Sequence, residues 1–436
     1  MKSRKAFALV ALVLVASVAA FGQPTVSERK DVAIFSLGYY GWDIPLETLG
    51  TIDIEIQKVF LDLGRFNIIG MQQRFSSSSV DQFISILRQM NEENFVLPEE
   101  YQFGEALLTE ADFNRLIGAF IVAVPVVTSY NLAFVDGKEW QADIKTTVSF
   151  IDVADGTLIG IADVETFGSS RETDFKAIQS AIDSIPMQLQ YEIRSIPAFT
   201  LHTRVLGMTG GEVKIELGSN MGIQKGDEYL VIEKSEYEGY KDEKEVGLLL
   251  IKEVGTEVST AIILYSGIQP AKDTQLRELP RAGADLALYG HSYQYFESSM
   301  GSSFVIGARF EATRGFYNVK PYLAAQMLTD LDLYLPLNAV IGAEYVTYMR
   351  RLEIGVRGGI AMGSNALVRI LEESFSTDDD PWFTHIGVSA GAFVSYLVTR
   401  DMKLFAEVQA DYLFGWTGLF PSYGGWQLGA GVTFKM

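Results

Sequence analysis

The chain has no cysteine and only three histidines in 436 residues. Without a thiol there is no disulfide framework, no thiolate metal site, no cysteine nucleophile and no lipobox residue to acylate. His202, His291 and His385 stand far apart in sequence. Positive charge is also short: 35 Lys and Arg face 55 Asp and Glu, a formal net charge of −20. Phosphates would be repelled, and no basic, aromatic-interleaved patch offsets the balance, so nucleic acid is excluded as a partner. Past the first two dozen residues there is no apolar run long enough for a membrane helix. The rest of the chain is therefore either soluble or spans as a barrel.

What is present begins with a leader. Lys2, Arg4 and Lys5 precede an apolar stretch at 6–18, and the small residues Ala19, Ala20 and Gly22 follow. That order is a secretory signal peptide over 1–22, with cleavage near Gly22. The length suggests two to four domains after it, and the sequence divides into three.

The strongest pattern lies in 284–436, where segments of about ten residues alternate with the period of a strand whose faces meet different surroundings. Leu404, Ala406, Val408, Ala410 and Tyr412 share one face; Phe405, Glu407, Gln409 and Asp411 share the other. Strands are expected at 285–296, 303–313, 317–328, 338–349, 352–364, 384–398, 402–414 and 426–436. Connections at 314–316, 350–351 and 399–401 are tight, those after the third, fifth and seventh strands are longer, the longest at 365–383, and the loop after the first strand, near 298–302, is shorter than this alternation prefers. Short turns alternating with long loops predict an eight-stranded transmembrane antiparallel β-barrel of the outer-membrane kind, with outer-membrane lipid as its partner. Aromatic residues toward strand ends, including Tyr289, Tyr293, Tyr295, Tyr345, Tyr348, Trp382, Phe414, Trp416, Phe420, Tyr423 and Trp426, fit interfacial girdles. The terminal run Trp426, Leu428, Ala430, Val432 and Phe434 resembles the C-terminal insertion signal of outer-membrane barrels, although Lys435 and Met436 follow it.

A barrel of eight strands has room inside only for its own side chains. Arg309, Lys320, Arg357 and Lys403 are expected there beside Glu311, Glu344, Glu353, Glu407 and Asp411. Because an unpaired buried charge is costly, these residues are expected to pair as an interior ion-pair cluster, which favours an anchor over a pore.

Residues 31–195 switch to mixed α and β. Strands are expected at 32–37 and 66–69, helices at 46–63, 80–90 and 110–116, a polar stretch at 91–105, three long strands at 119–134, 140–152 and 157–167, and a closing helix over 171–193. Residues 197–280 read as a small all-β module with strands at 202–206, 212–217, 228–232, 246–254 and 260–265, and a charged hairpin tip at 234–244.

The segment Val32-Ala33-Ile34-Phe35, the helix ending Leu63-Gly64-Arg65-Phe66-Asn67-Ile68-Ile69, and the strand beginning Ile117-Gly118-Ala119 resemble the small α/β domain of the curli secretion-channel lipoproteins, the Tol-system periplasmic protein and flagellar assembly protein T. The strand, glycine turn and Gly-Asp turn over 213–227 are similar to the C-terminal β-module of flagellar assembly protein T. The resemblance implies protein assembly or interaction in the periplasm and no catalysis. It departs from the curli family in lacking the acylated cysteine and the channel-forming segments.

No phosphate-binding loop, His-Glu-x-x-His pair or complete calcium loop is present. The acidic run at 377–380 lacks the bidentate Glu of a calcium site and reads as a solvated loop. The serines at 76–79 read as a helix cap, with Ser79 the candidate. No catalytic residue, cofactor or metal ligand is assigned. The expectation is a non-catalytic envelope protein, anchored by its barrel, that presents periplasmic domains to a flagellar, peptidoglycan-associated or secretion partner. The alternative is a narrow channel or a surface adhesin using the loops at 365–383 and 415–425. The periplasmic partner and a homo-oligomeric state stay open.

Overall fold

A computed structural model describes residues 26–39, 44–74, 82–86, 89, 100–103, 106–109, 112, 121–237, 240–329, 337–364, 383–415 and 421–436. The signal peptide expected over 1–22, the serines at 76–79, the acidic run at 377–380, the helix expected at 110–116 apart from residue 112, nearly all of the 365–383 loop and residues 416–420 of the 415–425 loop lie outside them. The described residues form two compact units.

The first unit is a mixed sheet with helices. Its strands are β1 (Lys30–Ser36), β2 (Gly38–Tyr39), β3 (Phe66–Arg74), the β4–β5 hairpin (Glu100–Phe103 and Ala106–Thr109), β6 (Ile121–Val135), β7 (Glu139–Asp152) and β8 (Leu158–Ser170). The order is β3-β1-β6-β7-β8; β1 runs parallel to β3 and β6, and β6, β7 and β8 form an antiparallel meander. The β4–β5 hairpin falls partly within the polar stretch expected at 91–105, because four-residue strands are too short to establish a period.

Helix α1 (Leu46–Leu63) turns Leu49, Ile52, Ile56, Val59, Phe60 and Leu63 inward at helical spacing. It ends at Gly64, whose φ of 65° is left-handed and whose N–H donates to the Leu61 carbonyl. The Gly64 backbone lies against Gly222, where a Cβ would stand 1.9 Å from the Leu63 carbonyl oxygen. Residues 217–223 thus pack in this unit although their flanks do not. The helix expected over 171–193 is two helices, α2 (Asp174–Asp183) and α3 (Ile185–Ser195). Pro186 has no N–H for the i−4 carbonyl, so the chain restarts with proline in the first turn of α3. Residues 82–86 are helical within the segment expected at 80–90.

The second unit holds two closed barrels. The smaller has order β10-β13-β12-β11-β14-β9, from β9 (His202–Thr209), β10 (Glu212–Ile215), β11 (Glu228–Tyr237), β12 (Tyr240–Val254), β13 (Ser259–Ser266) and β14 (Gln275–Leu279). The sequence pattern showed five of these strands. The sixth, β14, is only five residues long, and it pairs with β11 to help complete the cylinder.

The larger barrel comprises β15 (Ala284–Tyr295), β16 (Ser302–Ala312), β17 (Val319–Leu328), β18 (Leu337–Met349), β19 (Leu352–Ser364), β20 (His385–Thr399), β21 (Met402–Gly415) and β22 (Tyr423–Lys435), each paired with the next. It closes where β22 meets β15, from Asp285 opposite Lys435 to Tyr295 opposite Gly425. All eight strands lie within three residues of the expected bounds. Burial alternates along every strand. Ile306, Leu323, Ile341, Val356, Ile360, Val388 and Leu428 are exposed on the outside, and charged and amide side chains are buried inside.

One group of residues differs from its expected position. Tyr289, Tyr293, Tyr295 and Tyr423 are not girdle residues but lie buried in the lumen. The first three share the parity of Asp285 on β15, and Tyr423 that of the buried Gln427 on β22, so a period of two puts them all on the inner face.

Candidate functional site: the charged interior and the joint between the barrels

The interior charges come from successive strands whose inward positions fall at similar heights. Glu407 lies between two guanidiniums: Arg357 Nη1 is 2.7 Å from its Oε2, and Arg309 Nη1 is 3.3 Å from its Oε1. Arg309 Nε donates to Glu311 Oε1 at 2.7 Å, and Arg357 Nη2 stands 3.4 Å from Glu344. Lys320 Nζ is 4.0 Å from Glu344. A second group joins Lys403 Nζ to Glu353 at 3.1 Å and Asp285 at 3.4 Å. Aromatic rings complete the arginine surroundings: the Arg357 guanidinium stands 4.2 Å from the Phe393 ring centroid, and that of Arg309 stands 5.1 Å from Phe405.

Eight of the nine residues singled out from the sequence therefore contact opposite charges, and Asp411 does not join them. Its carboxylate accepts from the Tyr293 hydroxyl and from Gln427 Nε2, both at 2.7 Å. Four residues along an extended strand put it about 13 Å from Glu407, out of reach of the arginines. Two participants were missed, Asp285 and His291, the latter with Nε2 3.1 Å from Glu407 Oε1. The signal was there: both share the inward parity of β15.

Below the larger barrel's tight turns lies a joint that no local pattern announces. Glu228, the first residue of β11, is buried and accepts from Arg281 Nε at 3.0 Å and from the Lys435 ammonium. Arg281 also donates to Asp401 Oδ1 at 2.8 Å, to the Lys435 carbonyl at 3.1 Å and to the Arg400 carbonyl at 2.6 Å. Arg281 leads into β15 and Lys435 ends β22, so Glu228 grips the seam where the larger barrel closes. Nearby, Arg314 Nε meets Asp227 at 3.0 Å, the Gly315 N–H donates to the Lys225 carbonyl at 2.7 Å, and Arg400 pairs with Glu245. The Arg351 guanidinium lies 4.0 Å from the centroid of Tyr265. Leu397, Tyr317 and Tyr348 of the larger barrel pack onto Leu230, Ile232, Leu248, Leu250 and Leu264 of the smaller.

Gly226 makes this approach feasible. Its φ is +82°, and a Cβ there would lie 2.1 Å from the Thr313 carbonyl oxygen and 2.6 Å from that of Phe316. The cavity remaining between the barrels, lined by Glu228, Arg281, Asp285, Lys403 and Lys435 among others, is about 20 Å³, roughly the space of one water.

The charges in the joint reinforce one another. Burial alone would raise the Glu228 carboxyl, but the Lys435 ammonium and the Arg281 guanidinium outweigh it and hold the group below the usual carboxylate value. Burial likewise works against Arg281, and Glu228 and Asp401 more than offset it, so its pKa is raised. Asp401 is held low by Arg281 and Arg400 against its own desolvation.

No family model matches the chain, and no curated protein matches it. Among solved structures, the chain is similar to the N-terminal β-barrel domain of OprF from Pseudomonas aeruginosa, at 16% identity over 35% of this chain and 98% of that one, with a TM-score of 0.25. Neisserial surface protein A gives 20% identity over 35% and 96%, with a TM-score of 0.26. Lipoprotein GNA1162 from Neisseria meningitidis gives 10% identity over 36% and 94%, with a TM-score of 0.22.

Proposed function

We propose that this chain is a non-catalytic outer-membrane protein whose eight-stranded barrel is an anchor. The smaller barrel is mounted on the larger one's tight-turn end, and the α/β unit is carried on the periplasmic side. By the resemblance of 31–195 and of 213–227, the partner belongs to flagellar, peptidoglycan-associated or secretion machinery.

The observation that carries the anchoring role is an inverted polarity. On the barrel's outer face Val388 is 59% and Leu428 68% exposed, while inside Glu407 is 4% and Arg357 6% exposed. In water that arrangement would expose a greasy band and bury charge, whereas in a bilayer each face meets its proper solvent. The side chains that cross the lumen around Glu407 favour an anchor over a channel, because pairing of this kind fills the bore of an eight-stranded cylinder.

The test is gel mobility of the membrane-extracted protein with and without boiling. A folded barrel resists detergent and changes mobility on heating. Release by carbonate together with unchanged mobility would refute the anchor.

A further inference from the structure

The first unit ends its sheet on a long, regular edge. Strand β8 pairs with β7 on one side, and among the described residues no strand pairs with the other. From Gly160 to Ser170 the ladder runs without a bulge. Natural proteins blunt such edges with bulges, prolines, short strands, charged side chains or inward charges. The inward residues here are Ala162, Val164, Thr166 and Gly168, so no bulge, proline or inward charge interrupts that stretch, and its charges are the outward Asp163 and Glu165.

What the edge carries is a pattern. Ile161, Asp163, Glu165 and Phe167 are all exposed on the outward face, in the order apolar, acidic, acidic, apolar. Thr147 of β7 donates to Asp163 at 2.5 Å, and Lys145 sits opposite Glu165 in register. From α3, Glu192 adds a third carboxyl, raised by its burial and by the neighbouring Asp163 charge. One lysine thus faces three acids around the strand, leaving an electronegative edge.

The geometry points to β8 as the docking edge for an extended segment of a different protein, one carrying two basic residues two positions apart between apolar ones. Backbone pairing would supply the affinity and the acids the selection. This rests on the reading of the α/β unit as the partner-binding part. Because the pattern is palindromic, the complement apolar-x-basic-x-basic-x-apolar fits in either strand direction. A second copy of this chain is disfavoured for the same reason. Antiparallel pairing of β8 with itself about Val164 would set Asp163 against Glu165 twice, and like charges directly opposite are destabilising. Nor does any stretch of this chain contain the complementary pattern.

The experiment uses the full chain in detergent micelles and a labelled peptide, Val-Thr-Lys-Thr-Arg-Thr-Val flanked by threonines, read by fluorescence anisotropy. Saturable binding is expected, with at least about tenfold loss for a scrambled peptide and for the Asp163→Lys, Glu165→Lys double variant. The reversed variant should instead take the peptide with glutamates in place of Lys and Arg. Circular dichroism and heat-modifiable mobility show that each variant is folded. Absence of binding to the folded native protein, or equal binding by the reversed variant, overturns the docking edge. Either result leaves the anchor untouched, since mobility reads that separately.

Discussion

Replacing Gly226 by alanine should unseat the smaller barrel while leaving the larger one closed. Two costs combine. A left-handed φ of +82° for an L residue costs about 1–2 kcal/mol. The new methyl would also sit 2.1 Å from the Thr313 carbonyl oxygen, against 3.4 Å for ordinary contact, so backbone must retreat by about 1.3 Å (3.4 − 2.1). A retreat of that size stretches the Gly315 to Lys225 hydrogen bond, now 2.7 Å, and the Arg314 to Asp227 pair, now 3.0 Å, beyond useful length. Breaking one partly buried ion pair costs up to about 3–5 kcal/mol, giving a joint weakened by roughly 4–7 kcal/mol in all. Gly211 is the control, because its φ is +85° but nothing lies within 4 Å of its would-be Cβ. Alanine there should cost only the backbone term of about 1–2 kcal/mol. The assay is tryptic cleavage after Arg281, whose side chain the joint covers, on protein in micelles. Rapid cleavage in Gly226→Ala alone is expected, with heat-modifiable mobility retained. Equal resistance in Gly226→Ala and the native protein, or equal opening in Gly211→Ala, would refute the argument.

Other perturbations follow from the same geometry. Lowering pH should open the joint. Glu228 has a depressed pKa in the folded state, so its contribution is fully present above the ordinary carboxylate value of 4.5 and is lost as pH falls through the lower folded value. Cleavage after Arg281 by an acid-tolerant protease should rise only below that point, and a flat profile would exclude Glu228 as the cause. Glu407→Leu should leave two buried guanidiniums without their shared carboxylate, at about 3–5 kcal/mol. The urea midpoint of the folded-barrel band should fall accordingly, and an additional Arg357→Met should recover part of the loss. Val356→Arg, on the outer face near mid-strand, should cost about 2–4 kcal/mol in lipid vesicles. The same change on a water-facing surface would stay within about 0.5 kcal/mol, so a neutral result would remove lipid from that face.

The larger barrel was legible because a strand's alternation is local. Leu404 and Phe405 meet different surroundings whatever their neighbours are, and eight such segments with short and long connections leave one closed antiparallel answer. Parity alone was also enough to place Arg309, Arg357 and Glu407 inside, and applied along β15 it would have placed Asp285, His291 and Tyr293 there as well. Local sequence could not set heights. Asp411 and Glu407 share a face and a strand, and only the register with β15 and β22 decides that one meets tyrosine and glutamine while the other meets two arginines. Helix α1 was recognisable from its period and its closing glycine, whereas the break at Pro186 and the five-residue β14 needed the sheet and barrel around them. The sequence by itself determined which side chains avoid water and which seek it along each strand. The tertiary structure alone decided that Glu228 would meet Arg281 and Lys435, because residues 53 and 207 positions away come within bonding distance only once both cylinders have closed.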